Sequence, residues 1–106
     1  MASIEDFKKL SIKIGRIEDV QPHPNADRLY IVTLDTGEGK RQVVAGIKNY
    51  YKEEELKDKL VAFVENLEPA MIRGIESNGM ILAAQDGERL AVISPEKEVA
   101  LGATVK

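Results

Sequence analysis

Apolar and polar residues alternate in short runs along most of this chain, and turn-forming residues separate the runs. Residues 4–10 differ, because Ile4, Phe7 and Leu10 recur every three positions with acids before lysines, as in a short helix. From Leu10 onward the pattern becomes alternating, which predicts a strand with a bulge at Gly15. A helical lead-in is therefore expected to run into a long, bent first strand.

The rest of the chain predicts at least four more strands. The proline-rich loop QPHPNAD (21–27) follows the first strand, DTGEGK (35–40) has the composition of a hairpin turn, and the charged segment 49–60 fits a short solvated helix. The predicted strands are LYIVTL (29–34), RQVVA (41–45), LVAFVENL (60–67) and MILAAQ (80–85), with RLAVIS (89–94) and EVALGATVK (98–106) as further extended pieces.

This order of elements predicts an all-β fold, a five-stranded OB-fold Greek-key barrel with short helical turns and extra C-terminal strands. The helical turn between the third and fourth strands is typical of that fold, whose outer groove commonly binds oligonucleotides. With 106 residues the chain is expected to form one domain over 1–106, in which residues 1–10 are the lead-in.

Composition removes several classes of function. The chain has no cysteine and one histidine, which excludes disulfides, thiolate zinc sites and cysteine nucleophiles and leaves no expected metal or cofactor. No apolar run approaches the length of a membrane span, and the N-terminus does not resemble a signal peptide. A cytoplasmic protein that does not bind membranes is the expectation.

The formal net charge of −3 does not by itself exclude a nucleic-acid ligand. Residues 1–50 carry eight basic and seven acidic side chains, whereas residues 51–106 carry seven and eleven. Because salt screens charges beyond roughly 8 Å at physiological ionic strength, a local basic patch can bind phosphate on an anionic protein.

Catalytic constellations are not apparent. The TGEGK stretch lacks the spacing of a phosphate-binding loop and fits a hairpin turn better. His23 and Asp27 could form a base and its orienting partner, but the flanking prolines favour a loop tip and no nucleophile completes the set. No catalytic residue is expected.

The stretch NLEPAMIRGIESNGMILAA (66–84) allows two interpretations. In the structural one, Pro69, Gly74 and Gly79 shape turns, Arg73 is solvated and Met80 belongs to the core. In the functional one, the glycines let the backbone approach a sugar-phosphate surface while Arg73 and its polar neighbours bind it.

The sequence strongly resembles the tRNA-binding domain family, which includes small dimeric tRNA-binding proteins, the C-terminal domains of methionyl-tRNA synthetases and chaperone-like export proteins. The resemblance rests on segments spread through most of the chain. They are IEDFKKLSIKIGRI, HPNADRLYIVTLD, RQVVAGIKNYY, EELKDKLVAFVENLEPA and RGIESNGMILAA. It implies an OB-fold, a homodimer in the short forms, no catalysis and binding of the outer elbow of tRNA by its shape.

The resemblance also implies a set of tRNA-binding residues. Lys48 occupies a position that varies between relatives, and Arg73 lies upstream of the family's serine and methionine. The expected set is Lys13, Arg28, Arg41, Lys48, Arg73, Ser77, Asn78 and Met80. Arginine would supply a charged fork for phosphate, Ser77 and Asn78 would donate to phosphate or 2′-hydroxyl oxygens, and Met80 would offer an apolar contact.

Relatives often carry lysine where this chain has Glu68 and Met71, so positive charge is missing beside the expected groove. Binding should then be weaker or depend more on the remaining cations. The same two residues favour an alternative, a chaperone-like domain whose groove takes unfolded peptides. A free-standing protein and the C-terminal part or β subunit of a methionyl-tRNA synthetase, raising its tRNA affinity, are both compatible with the sequence.

Overall fold

The structure is a computed structural model that describes all of residues 1–106. It contains two helical turns and nine strands, most of them short. The helices are α1 (Ile4–Phe7) and α2 (Glu53–Leu56), and the strands are β1 (Ile12–Pro22), β2 (Tyr30–Asp35), β3 (Lys40–Ala45), β4 (Leu60–Val64), β5 (Ala70–Ile72), β6 (Ile75–Ser77), β7 (Met80–Ile81), β8 (Ala83–Asp86) and β9 (Arg89–Val92).

Five of the strands form one antiparallel sheet in the order β3-β2-β1-β4-β7, and this sheet curls into a partial barrel. Two hairpins, β5-β6 and β8-β9, are added outside it. Helix α2 lies between β3 and β4. The all-β, OB-type expectation is therefore confirmed, including the helical turn after the third strand and the extra C-terminal strands.

Strand β1 bends because it serves two partners. Its first half pairs with β4 and its second half with β2, and the register with β2 shifts between Ile17 and Asp19. The predicted bulge at Gly15 is therefore wrong. Gly15 is required for packing, since a Cβ there would lie 3.0 Å from Cε1 of Phe63.

The two faces of the sheet carry separate apolar clusters. Thirteen buried residues lie inside the curl. Three of them, Ile17, Leu34 and Phe63, have no exposure to solvent. On the outer face, Ile12 and Ile14 form a smaller cluster of four with residues of β4. The predicted alternation of β1 is correct, but its apolar face belongs to the smaller cluster.

The C-terminal segment completes the sheet beside the first half of β1. The amides of Gly102 and Val105 donate to the carbonyls of Ile14 and Ile12, each at 2.8 Å, and the amide of Ile14 donates to Ala103 at 3.0 Å. These bonds occupy the edge of β1 that β2 leaves free, so the extended piece predicted at 98–106 is partly realised.

Two predicted elements have different bounds in the structure, and one hairpin was not predicted. The lead-in helix covers 4–7 instead of 4–10, although Ser3 and Asp6 form a capping box at its start. Strand five is divided at Leu82 into β7 and β8, and the β5-β6 hairpin was not predicted. Neither helix has the length and apolar character needed to span a bilayer.

Candidate nucleic-acid interface

The β5-β6 hairpin turns through two residues with positive φ angles, Arg73 at 53° and Gly74 at 90°. Two-residue turns of this kind match the twist of antiparallel strands. The turn places the Arg73 side chain in solvent at one end of the barrel.

A loop following β1 is fastened to this turn. His23 is only 4% exposed, and its Nε2 lies 2.9 Å from the carbonyl oxygen of Ile72. Asn25 adds reciprocal bonds, since its Nδ2 donates to the Arg73 carbonyl at 3.1 Å and its own carbonyl accepts from Arg73 Nη2 at 3.3 Å. The expectation that His23 occupies an exposed loop tip is therefore wrong.

Three of the predicted cations lie on segments that meet at this end. Arg28 follows the His23 loop, Arg73 lies on the hairpin turn, and Lys48 follows Gly46, against which the Leu29 side chain packs. We call residues 23–29, 46–48 and 72–75 the loop end. Arg28 and Arg73 are exposed, Lys48 is half-buried, and none of the three forms an ion pair.

A trough runs along the outer edge of β3, between that strand and residues 67–70. Its apolar half encloses about 380 Å³ against Val44–Ile47, with Ile72 and Met80 at its sides. Its polar half encloses about 300 Å³ against Lys40–Gln42, with Asn78 opposite. Leu67 lines both depressions, and we call the two together the β3 trough.

Ser77 lies beneath this trough and is buried, with 3% exposure. Its Oγ accepts a hydrogen bond from the amide of Val44 at 2.9 Å and donates to the carbonyl of Gly79 at 3.2 Å. The hydroxyl is therefore used inside the protein. Donation by Ser77 to RNA stays a prediction, and the observed bonds join β6 to the edge of β3.

Arg41 and Asn78 continue the same junction. The Arg41 guanidinium donates to the carbonyls of Glu65 at 2.5 Å and Asn78 at 3.2 Å, and the Asn78 amide donates to the carbonyl of Gln42 at 2.9 Å. Both residues are half-buried. We call Arg41, Ser77 and Asn78 the seam, because their bonds connect β3 to Glu65, which follows β4, and to residues 77–78, which precede β7.

Lys40, at the open end of the polar half, is neutralised locally. Its ammonium lies 2.6 Å from Glu18 and 3.6 Å from Asp35. The hydrogen bond to Glu18, followed by the nearby charge of Asp35, holds the pKa of Lys40 above its ordinary value. This lysine therefore adds little net charge to the trough.

Lys13 stands apart from the other predicted residues. Its ammonium donates to Thr104 Oγ1 at 3.2 Å, and it lines a small polar cleft with Glu38 and Glu65. The structure thus separates the predicted set into the loop end, the seam with Met80 at the trough rim, and Lys13 on β1.

The rim of the β3 trough carries apolar and acidic side chains at Met71, Met80 and Glu68, so it has no positive charge at these positions. Met80 is 48% exposed and Met71 is 68% exposed, so both present apolar side chains to solvent. Glu68 is exposed and is one of the residues that line the apolar half. Met80 is consequently placed where an apolar contact was expected, and it does not belong to the core.

Sequence reasoning did not identify Asn25 and Gln42 as parts of this region. Asn25 bridges to Arg73, and Gln42 donates to the carbonyl of Glu76 at 2.8 Å. A signal for Asn25 existed, because an asparagine two residues after His23 is typical of a structured turn. Nothing comparable marks Gln42.

A second apolar surface lies away from the trough. Helix α1 exposes Ile4 and Phe7 and buries none of its residues, and Leu10 after it is also exposed. A separate cleft of about 280 Å³ opens on the outer face of the sheet, lined by Ile93 and Val99 among others. Both features leave apolar side chains without a partner in the monomer.

Comparison with known sequences identifies relatives of this chain. The model of a family described as "Putative tRNA binding domain" matches residues 12–104. The methionine-tRNA ligase of Pyrococcus horikoshii is 57% identical over 102 residues, which cover 96% of this chain and 14% of the ligase. The chain therefore spans 14% of the length of such curated relatives.

Comparison with solved structures gives similar folds of about the same size. A MetRS-related protein from Pyrococcus horikoshii is 30% identical with a TM-score of 0.93, over 100% of this chain and 98% of that one. The CsaA chaperone protein from Picrophilus torridus is 28% identical with a TM-score of 0.93, over the whole of both chains.

Proposed function

Because this chain belongs to the tRNA-binding domain family, whose model covers residues 12–104, we propose that it binds tRNA through the loop end and the adjoining β3 trough. Arg28, Lys48 and Arg73 supply the phosphate contacts. The chain performs no catalysis of its own, since it corresponds to the non-catalytic appended domain of methionine-tRNA ligases.

The observation that carries this proposal is that three cations without ion pairs, Arg28, Lys48 and Arg73, lie on segments that meet at the loop end. Lys8, Lys9 and Lys40 each lie within 4 Å of a carboxylate. The three cations of the loop end have no such neighbour. Their charge is available to phosphate, which explains how a protein with net charge −3 can bind RNA.

Recognition by shape follows from what the surface offers. Phe7 and Tyr50 are the large aromatic side chains that are most exposed, and neither lines the trough. Proteins that bind unpaired strands rely on stacking bases against such rings. Cations at fixed positions suit the regular backbone of folded RNA better, so the outer elbow of tRNA is the proposed ligand surface.

The relation to methionine-tRNA ligases suggests the purpose of this binding. Ligases that are 54–57% identical to the chain are about seven times longer than the matched segment, which is 14% of their length. The proposed role is to raise the tRNA affinity of a catalytic part outside this segment. The cytoplasm is the proposed compartment.

A homodimer is part of the proposal. Apolar surface for a second copy is provided by the exposed Ile4 and Phe7 of α1, by Leu10 after it, and by the cleft around Ile93 and Val99. Two linked binding surfaces would raise avidity by about 10² or more if both reach one RNA. Sedimentation of the wild type and of Phe7→Glu tests this, since a monomer in both cases would remove the dimer.

Binding of tRNA as a function of salt concentration tests the main proposal. Arg73→Ala is expected to lower affinity at low salt and to reduce the slope of log K against log salt by roughly 0.7–0.9. Arg89→Ala, which removes a guanidinium from the β8-β9 hairpin, is the matched control and should change neither. If wild-type binding shows no salt dependence, or both variants behave alike, the proposed site is wrong.

A second candidate function is favoured by the apolar half of the β3 trough. Glu68 lines this half at a position where lysine would make the surface basic. Met71 and Met80 provide adaptable apolar contacts nearby. The structural similarity to the CsaA chaperone protein agrees with an unfolded peptide as ligand. Competition between tRNA and an unfolded polypeptide separates the two candidates. Tight peptide binding that salt does not weaken would favour the chaperone-like function.

A further inference from the structure

The His23 loop and the β5-β6 turn are connected by a small set of hydrogen bonds that the sequence alone did not suggest. Residues 72–74 make hydrogen bonds outside their own hairpin only to His23 and Asn25. The opposite end of the hairpin is held by the seam and by Gln42. The position of Arg73 therefore depends on these two loop residues.

Both ring nitrogens of His23 are committed. Nδ1 accepts a hydrogen bond from the backbone amide of Asn25 at 3.0 Å, and Nε2 lies 2.9 Å from the carbonyl oxygen of Ile72. The two partners assign the tautomer, because a ring nitrogen that accepts from an amide leaves the other nitrogen to donate to a carbonyl. The neutral Nε2–H imidazole fits both bonds without a spare donor or acceptor.

We propose that His23 is a positioning residue for RNA binding: it holds the loop carrying Arg28 and the turn carrying Arg73 as one unit, so that both reach phosphates of one RNA. This inference rests on the proposed function. Arg73 spends one of its five N–H groups on Asn25, which orients the guanidinium and leaves the others for phosphate. Arg28 lies three residues after Asn25 on the same loop.

The variant His23→Asn isolates the cross-connection. An asparagine side chain readily accepts a hydrogen bond from the amide two residues later, so the local turn to Asn25 can persist. The shorter side chain does not reach the Ile72 carbonyl. The loop then keeps its own conformation and the bonds of Asn25 to Arg73, while the bond from His23 to the hairpin is lost.

A double-mutant cycle with Arg73→Ala tests whether His23 acts through that arginine. In the wild-type background, His23→Asn should weaken tRNA binding by about tenfold and reduce the salt slope by close to one phosphate contact. In the Arg73→Ala background, the same change should cost less than about twofold, because the group it positions is already absent. Equal losses in both backgrounds would overturn the proposal.

Amide hydrogen exchange supplies a second measurement that does not depend on RNA. Exchange in residues 72–75 should accelerate in His23→Asn while β1, β2 and β4 stay protected. Faster exchange with unchanged tRNA affinity would overturn the positioning role. If the wild-type protein does not bind tRNA at all, both the proposed function and the role of His23 are wrong. If it binds tRNA but the effects of the two substitutions are additive, only the role of His23 is wrong.

Asn25→Ala provides a second route if His23→Asn unfolds. It removes the bond from Asn25 Nδ2 to the Arg73 carbonyl but leaves the backbone amide that donates to His23. The same cycle with Arg73→Ala should again show a smaller loss in the double variant. An additive result with a folded Asn25→Ala protein would overturn the proposal equally.

Discussion

The seam and the loop end contain similar polar side chains but use them differently. At the seam, Arg41 and Ser77 direct their donors and acceptors to backbone groups of the barrel. At the loop end, Arg28 and Lys48 have no partner in the protein, and Arg73 commits one N–H group. Residues implied together by one family resemblance therefore divide into those whose polar groups are bonded inside the protein and those whose polar groups stay free for the proposed ligand.

Replacing Arg41 should give the largest loss of stability. Arg41→Ala leaves the carbonyls of Glu65 and Asn78 without their donor at a half-buried site, which costs about 1–3 kcal/mol in the free energy of unfolding. Urea unfolding measures this directly. Arg28→Ala, the matched exposed arginine, should stay within about 0.5 kcal/mol. Similar losses in both variants would erase the distinction between the two regions.

Ser77→Ala should have the next largest effect, and it should act on stability alone. The Val44 amide would lose its acceptor in a buried position, costing on the order of 1–2 kcal/mol. At a temperature where the variant is fully folded, its tRNA affinity should change by less than about twofold. A large loss of affinity without a loss of stability would place Ser77 in contact with RNA.

Tyr30 is another inward-facing polar residue, and its effect should depend on pH. Its hydroxyl donates to the carbonyl of Tyr51 at 2.7 Å, and Tyr30→Phe should cost about 1 kcal/mol at neutral pH. Burial, followed by the negative charges of residues 53–55, raises the pKa of Tyr30 above 10.0. The folded state therefore keeps the proton longer than the unfolded chain does.

The sign of this linkage sets the alkaline behaviour. The contribution of Tyr30 is fully present below pH 10.0 and is lost as the pH rises through the folded-state pKa, because the unfolded chain ionises first. Unfolding measured from pH 8 to 11 should therefore show the difference between wild type and Tyr30→Phe shrinking above pH 10. A constant difference would contradict this account.

Lys48→Ala should have the smallest effect of the series on stability, within about 0.5 kcal/mol, because the ammonium has no partner in the protein. Its effect on tRNA should be a loss of a few-fold at low salt that disappears as salt rises. Filter binding at two salt concentrations measures both. A loss that persists at high salt would indicate a contact other than phosphate.

The order of strands was predictable because apolar alternation, prolines and glycines agree along β1 to β4. The β5-β6 hairpin was not, because its turn uses Arg73 at positive φ, where sequence rules expect asparagine, aspartate or glycine. The bulge assigned to Gly15 was wrong for a related reason. A glycine in a strand signals either a bulge or close packing, and only the position of Phe63 decides between them.

The resemblance named residues for the candidate site, but the sequence did not show how those residues are bonded within the protein. Ser77 and Asn78 precede a glycine and look like an exposed turn, and long-range bonds to β3 draw them into the seam. His23 lies between two prolines, which favours a solvent-exposed loop. Its burial depends on the hairpin 49 residues later in the chain, and local sequence carries no signal for that contact.

Gly79 and Met80 are adjacent at the trough, yet they differ in what the fold allows. A Cβ at Gly79 would lie 2.8 Å from the carbonyl oxygen of Val64, and its φ of 138° disfavours any side chain. Met80 projects into solvent and meets no such restriction. In laboratory evolution toward a new ligand, position 80 and residues 67–71 should therefore accept many substitutions. Position 79 should remain glycine in every functional variant.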